Sequence, residues 1–197
     1  MGKKQFNRVY QFKITLKYIR PPIWRRIQVP ETYTFWELHA AIQNAMGWTD
    51  SHLHEFVMPH PDTKERWRIC IPFEEDLFAD DVLDERKEKI ANWFSEDNPV
   101  AIYLYDFGDS WEHQVKLEKI LPREKGVSYP RCVAGRRACP PEDCGGVGGY
   151  EAIVAGESEF QEDFADYDPE HFDPSEVEFE DPKAHWKWFR EFLPEEE

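Results

Sequence analysis

Apolar and polar positions alternate with period two near the start of the chain: Tyr10, Phe12, Ile14, Leu16 and Tyr18 interleave with Gln11, Lys13, Thr15 and Lys17. That spacing predicts a strand with one buried face. Arg20-Pro21-Pro22 then turns the chain into a second strand over Ile23 to Val29, which Pro30 ends. The period next changes to that of a helix. Thr34 and Glu37 have the spacing of a capping box, Tyr33 and Leu38 that of a hydrophobic staple, and Leu38, Ala41, Ile42 and Ala45 form one stripe before Gly47.

Further along, Leu53 to Met58 and Trp67 to Ile71 predict short strands, and the charged stretch from about Asp84 to Phe94 predicts a helix. Val100 to Tyr105 is apolar on both faces, the pattern of a covered central strand. Asp106-Phe107-Gly108-Asp109-Ser110 separates it from Trp111 to Leu121, so the two predict a hairpin. Tyr150 to Gly156 predicts a short helix, and Trp186, Trp188, Phe189 and Phe192 give a final helix its apolar face. Strands and helices mix without regular βαβ alternation. The expected class is therefore α+β, a mainly antiparallel mixed sheet with helices packed mostly on one face, its first half in the element order of a β-grasp.

Composition adds a size and a compartment. With 197 residues, 41% of them hydrophobic, the chain can bury one sizeable core, so residues 1–197 are expected to form a single domain. No run approaches the roughly 20 apolar residues of a membrane span, and the segment MGKKQFNRVY lacks a signal's apolar region. A cytoplasmic location without a membrane partner is expected, where the four cysteines stay reduced.

Charge changes the picture more. The net charge is −16, yet residues 1–29 carry eight Lys or Arg and no acid, and residues 116–137 carry seven bases against Glu118 and Glu124. Residues 157–197 hold sixteen acids against Lys183, Lys187 and Arg190. Aromatic residues recur there, at Phe160, Phe164, Tyr167, Phe172, Val177 and Phe179 with one aliphatic among them. Such a segment is expected to wrap the domain over 157–193 and leave 194–197 as a free tail. The basic islands either neutralise this segment or form a surface that it masks.

Three patterns carry candidate chemistry. Cys132, Cys139 and Cys144 are spaced C-x6-C-x4-C, and with His113, Cys70, Asp143 or a water as a fourth ligand they would take zinc. Small thiols packed like Ala or Val, or a thiol activated by Arg131, Arg136 and Arg137, are the alternatives. Gly145-Gly146-Val147-Gly148-Gly149 fits no phosphate-loop pattern and predicts a tight turn. The loop YDFGDSWEH places Asp106, Asp109, Glu112 and His113 close together, a set that could serve a metal-dependent hydrolase or nuclease. Glu112 and His113 alternate faces, however, so at most some of the four converge. His52 and His54 would point to one side of a strand as surface residues.

PPIWRRIQVP, the helix leading to AMGW and then HLHEF, YLYDFGDSWEH, and YPRCVAGRRACPPEDCGGVGGYEAI occur in this order. Together they closely resemble the plasmid pRiA4b ORF-3-like family over about residues 8–180. The resemblance implies no established activity. It lends no support to a resolvase, since the first serine is Ser51 and the basic segment before it is a strand hairpin.

A non-enzymatic binding module is the leading expectation, with Trp24, Arg25, Arg26, Arg131, Arg136 and Arg137 contacting a protein or an anionic polymer such as nucleic acid. A metal-dependent hydrolase and a structural zinc domain are the alternatives. A site built from the cysteine region and the YDFGDSWEH hairpin requires these two segments to lie against each other.

Overall fold

The fold is taken from a computed structural model, which describes residues 5–73 and 79–190. The expected free tail, 194–197, and Phe192 lie outside the described residues.

The chain forms an α+β fold around one eight-stranded sheet. Its strands are β1 (Arg8–Leu16), β2 (Trp24–Pro30), β3 (His54–Pro59), β4 (Arg66–Cys70), β5 (Val82–Asp84), β6 (Val100–Tyr105), β7 (Trp111–Pro122) and β8 (Arg131–Arg136). Their order across the sheet is β5-β4-β3-β6-β7-β1-β2-β8. Every pairing is antiparallel except β4 with β5. The β6–β7 hairpin inserts between β3 and β1, so strands of the first half are not contiguous in the sheet.

Register decides which side chains share a face. Phe12 opposes Ile27 and Leu117, Ile14 opposes Val115, and Phe56 opposes Tyr103 and Ile69. These residues are buried and belong to one core, closed by α1 (Phe35–Met46) and α2 (Ile90–Trp93). Phe35 packs edge-on against Phe56 at 5.1 Å, and Phe12 against Phe94 at 4.8 Å. Alternation sends the intervening residues to the other face, where the rows read Lys116, Lys13, Arg26 and Gln114, Thr15, Trp24, Arg136.

The α1 helix forms where its sequence signals place it. The Thr34 side chain accepts from the Glu37 backbone while the Glu37 carboxylate accepts from the Thr34 backbone, and Gly47 ends the helix at φ 88°. The expected helix from Asp84 to Phe94 is shorter, four residues over Ile90–Trp93. Asp84 ends β5, and its carboxylate accepts from the Arg86 backbone and guanidinium, a local turn that competes with helix.

Two elements lie at the end of the basic region and beyond it. β8 carries little period-two signal because Ala134 and Gly135 are weak strand formers and only Val133 favours a strand strongly. It exists as a partner of β2. α3 (Gly146–Ala155) begins inside the glycine run, four residues before the expected Tyr150. Gly146 sits at φ 69° and a Cβ there would lie 2.7 Å from the Asp109 carbonyl, so the glycine lets the helix start meet the hairpin loop.

Residues 157–190 run back over the domain. Two 3-10 turns, Gln161–Phe164 and Pro174–Glu176, lead to α4 (Pro182–Phe189). Tyr167 donates to the Cys139 carbonyl at 2.9 Å, Ala138 N donates to the Pro169 carbonyl, and Trp36 Nε1 donates to the Pro182 carbonyl. Among the described residues no helix is long and apolar enough to cross a membrane.

Candidate functional site

The helix-free face of the sheet holds four of the six residues expected to bind. Trp24 and Arg26 on β2 point there with Arg131 and Arg136 on β8, because Trp24 opposes Arg136 and Gln28 opposes Arg131. Lys13 on β1 and Lys116 on β7 join them. Lys13 Nζ lies 4.9 Å from the Trp24 ring centre and the Arg26 guanidinium 5.1 Å from it. Glu118 is the acid in the middle of this group. It takes a bidentate pair from Arg26, at 2.6 and 2.9 Å, and a bond from Gln11. Its carboxyl is held below the usual range, chiefly by the Arg26 hydrogen bonds.

Arg25 and Arg137 are elsewhere. Arg25 alternates to the core side, is 2% exposed, and donates to the carbonyls of Ala45, Trp24 and Arg136. Its guanidinium lies 3.7 Å from the Phe172 ring centre. Arg137, 4% exposed, pairs with Glu170 and donates to the Pro21 carbonyl. Both arginines fasten the C-terminal segment to the sheet rather than facing solvent.

The cysteine region and the hairpin do lie against each other. Gly145 N donates to Asp109 Oδ2 at 3.1 Å, and Tyr105 donates to Glu142 at 2.6 Å. The four hairpin residues nonetheless disperse. Glu112 is on the open face, held by Lys17 and Tyr18, whereas His113 is buried in the core beside Trp48 and Tyr103. Asp106 accepts from Gly108 N and lies 3.7 Å from His52 Nε2, which is 2.9 Å from Asp143.

Among the described residues, two groups bring three potential ligand atoms within 4.8 Å of one another: His39, Asp50, His185 and His52, Asp106, Asp143. Neither contains a thiol or His113. None of Cys70, Cys132, Cys139 and Cys144 is joined in a disulfide. Burial pushes the Cys139 thiol well up, with nearby Arg25 opposing, and the Cys144 thiol up to about 11. Both are protonated at neutral pH and poor nucleophiles.

The other group leaves almost no trace in the sequence pattern. His54 is not a surface residue: its strand begins at the end of the sheet covered by α1, and it is 5% exposed. Its Nε2 lies 2.8 and 3.1 Å from the two oxygens of buried Glu85. Burial favours neutral His54, yet Glu85 prevails and raises its pKa. His39, beside it on α1, is held down by burial against the pull of Asp50. Asp50 at φ 58° takes a 2.7 Å contact from His185 Nε2, and its carboxyl stays well below the usual range because the His39 and His185 interactions outweigh burial. A signal was available, in the i, i+4 pair His39 and Gln43 beside the apolar stripe of α1, both bonded to Tyr103 OH at 2.8 Å.

A sequence model of plasmid pRiA4b ORF-3-like protein matches residues 8–181. "Uncharacterized protein y4hQ" of Sinorhizobium fredii (strain NBRC 101917 / NGR234) is 38% identical over 144 residues, covering 73% of this chain and 70% of that one. The crystal structure of the protein of unknown function MM3350 from Methanosarcina mazei Go1 superposes with a TM-score of 0.81 at 48% identity. It covers 89% of this chain and 100% of its own.

Proposed function

The chain belongs to the plasmid pRiA4b ORF-3-like family, and from that premise we propose that it is a non-enzymatic binding module whose open sheet face receives an acidic segment of a partner protein. One observation carries the reading: Lys116, Lys13 and Arg26 stand directly opposite one another across β7, β1 and β2. Glu118 answers Arg26 in this row, but Lys13 and Lys116 remain like charges directly opposite each other at a cost in stability, which an anionic ligand would offset. Arg131, Arg136 and Trp24 extend the row, giving a rigid aromatic anchor among charges. A short acidic protein segment suits the surface better than nucleic acid, because a net charge of −16 repels a long polyanion along its whole length, whereas a few carboxylates meet mainly the local bases.

Binding rather than hydrolysis also agrees with the hairpin. Glu142, the carboxylate next to the His52, Asp106, Asp143 group, already accepts from Tyr105, Thr49 N and Thr49 Oγ1. It is therefore occupied as a general base.

Fluorescence anisotropy with a labelled oligoglutamate peptide tests the proposal. Binding at low salt is expected, weakening as salt rises and falling on the order of tenfold in the Lys13→Gln/Arg136→Gln double variant. No binding at low salt, or equal binding by the variant, overturns it. Tighter binding of a labelled single-stranded oligonucleotide through the same residues would move the partner from protein to nucleic acid.

A further inference from the structure

His39 Nε2 and Asp50 Oδ1 are 2.9 Å apart, with both side chains wholly buried. They are nevertheless not aligned as a hydrogen bond, and neither atom has a hydrogen-bond partner among the described residues. Buried polar atoms in native folds are almost always satisfied, so a pair of this kind asks for an explanation.

The other ring nitrogen sharpens the question. His39 Nδ1 lies 2.8 Å from Tyr103 OH, which already accepts from Gln43 Nε2. If Nδ1 carries the proton and donates to the tyrosine, Nε2 turns a lone pair toward a carboxylate oxygen. If Nδ1 accepts from the tyrosine, the Nε2 proton misses Asp50. Either tautomer leaves an unsatisfied atom where water does not reach, and a cation resolves the first of them.

We propose that His39 Nε2, the Asp50 carboxylate and His185 Nε2 bind a late first-row divalent cation, zinc by preference. Two imidazoles and the two oxygens of the Asp50 carboxylate, one facing each ring, give four donors of a kind suited to zinc, and bonds of about 2 Å at near-tetrahedral angles space donors from different residues about 3.3 Å apart. The observed 2.9 and 2.7 Å contacts to Asp50 open by a fraction of an ångström to admit it. The Tyr103 hydroxyl, fixed by Gln43, is the outer partner that holds a ligating imidazole in one tautomer and orientation.

The three donors come from α1, from the turn after Gly47, and from α4. The ion therefore fastens the C-terminal helix to the first. It works alongside Trp186, which packs on Trp36 with ring centres 5.1 Å apart, and the Trp36 bond to the Pro182 carbonyl.

Untagged protein, stripped with a chelator, equilibrated with zinc and desalted, would be analysed for metal and for thermal stability. About one zinc per chain is expected, together with a rise in Tm on reloading. His185→Ala should lower the metal content at least tenfold. His52→Ala, which removes the exposed group's imidazole, should leave it unchanged. Should His185→Ala fail to fold, the isosteric Asp50→Asn supplies the same comparison. Wild-type protein that retains no zinc overturns the proposal, as does zinc retained by His185→Ala or Asp50→Asn, or lost with His52→Ala.

Discussion

The imidazole rings of His39 and His54 lie parallel, 3.4 Å between centres and 2° between planes. Two cationic rings cannot share that spacing inside a core. The stack is eased because Glu85 raises the pKa of His54 while burial lowers that of His39, so the two rings do not charge together. Glu85→Gln removes the counter-charge from a site with no exposure. A loss of about 3–5 kcal/mol is expected by chemical denaturation, the cost of breaking a buried pair. A loss under about 1 kcal/mol would mean that Glu85 does not hold the charge.

Adjacent glycines of α3 should respond oppositely to alanine. A Cβ on Gly149 would lie 1.7 Å from the Cys144 carbonyl oxygen, a backbone atom that cannot swing away, whereas a Cβ on Gly148 meets nothing within 4 Å. Gly148→Ala is expected to stabilise by about 0.4–1 kcal/mol through helix propensity and chain entropy. Gly149→Ala should destabilise by about 1–3 kcal/mol or more. Equal thermal shifts for the two would contradict this packing of helix start on cysteine loop.

His113 sets an acid limit. Its ring is wholly buried, and burial lowers its pKa to about 4, with hydrogen bonding to the Tyr103 carbonyl opposing. The unfolded chain takes up this proton near pH 6.5 and the native one only near 4, so between those values the unfolded state holds more protons. Stability should therefore fall as pH drops from about 6.5 toward 4. His113→Gln, uncharged throughout, should flatten that part of the pH profile. An unaltered profile would place the acid sensitivity elsewhere.

The row of bases on the open face has a stability cost that can be measured. Lys116 is exposed and directly opposite Lys13. Lys116→Thr should raise stability by up to about 1 kcal/mol while weakening the peptide. A variant that loses stability would show that the row is not under repulsion.

The β1–β2 hairpin and α1 were legible because period-two alternation and a capping box are local signals. The meeting of hairpin and cysteine region was foreseen as well, although the contact is made by Asp109 with Gly145 rather than by His113 with thiols. Grouping Trp24, Arg25 and Arg26 as one surface overlooked the alternation of β2, which turns Arg25 inward. The His39, Asp50, His185 group was hidden for a different reason: His185 joins the two α1-side residues from a helix far along the chain, and sequence spacing carries no record of long-range packing. β8 shows the same limit, since its strand character comes from β2 and not from its own residues.

The marginal position of β8 gives the acidic segment a second meaning. A strand at the edge of a sheet offers its free backbone groups to any other strand, including that of another copy. Here the chain packs beside that strand: the Pro169 carbonyl accepts from Ala138 N just past its end, and Phe172 fills the space on its inner face beside Gly135, where a Cβ would lie 2.2 Å from the ring. The covering stretch is strongly anionic, so two molecules approaching margin to margin meet both a physical cap and like charge. A margin crowded in this way disfavours edge-to-edge pairing between copies of the chain.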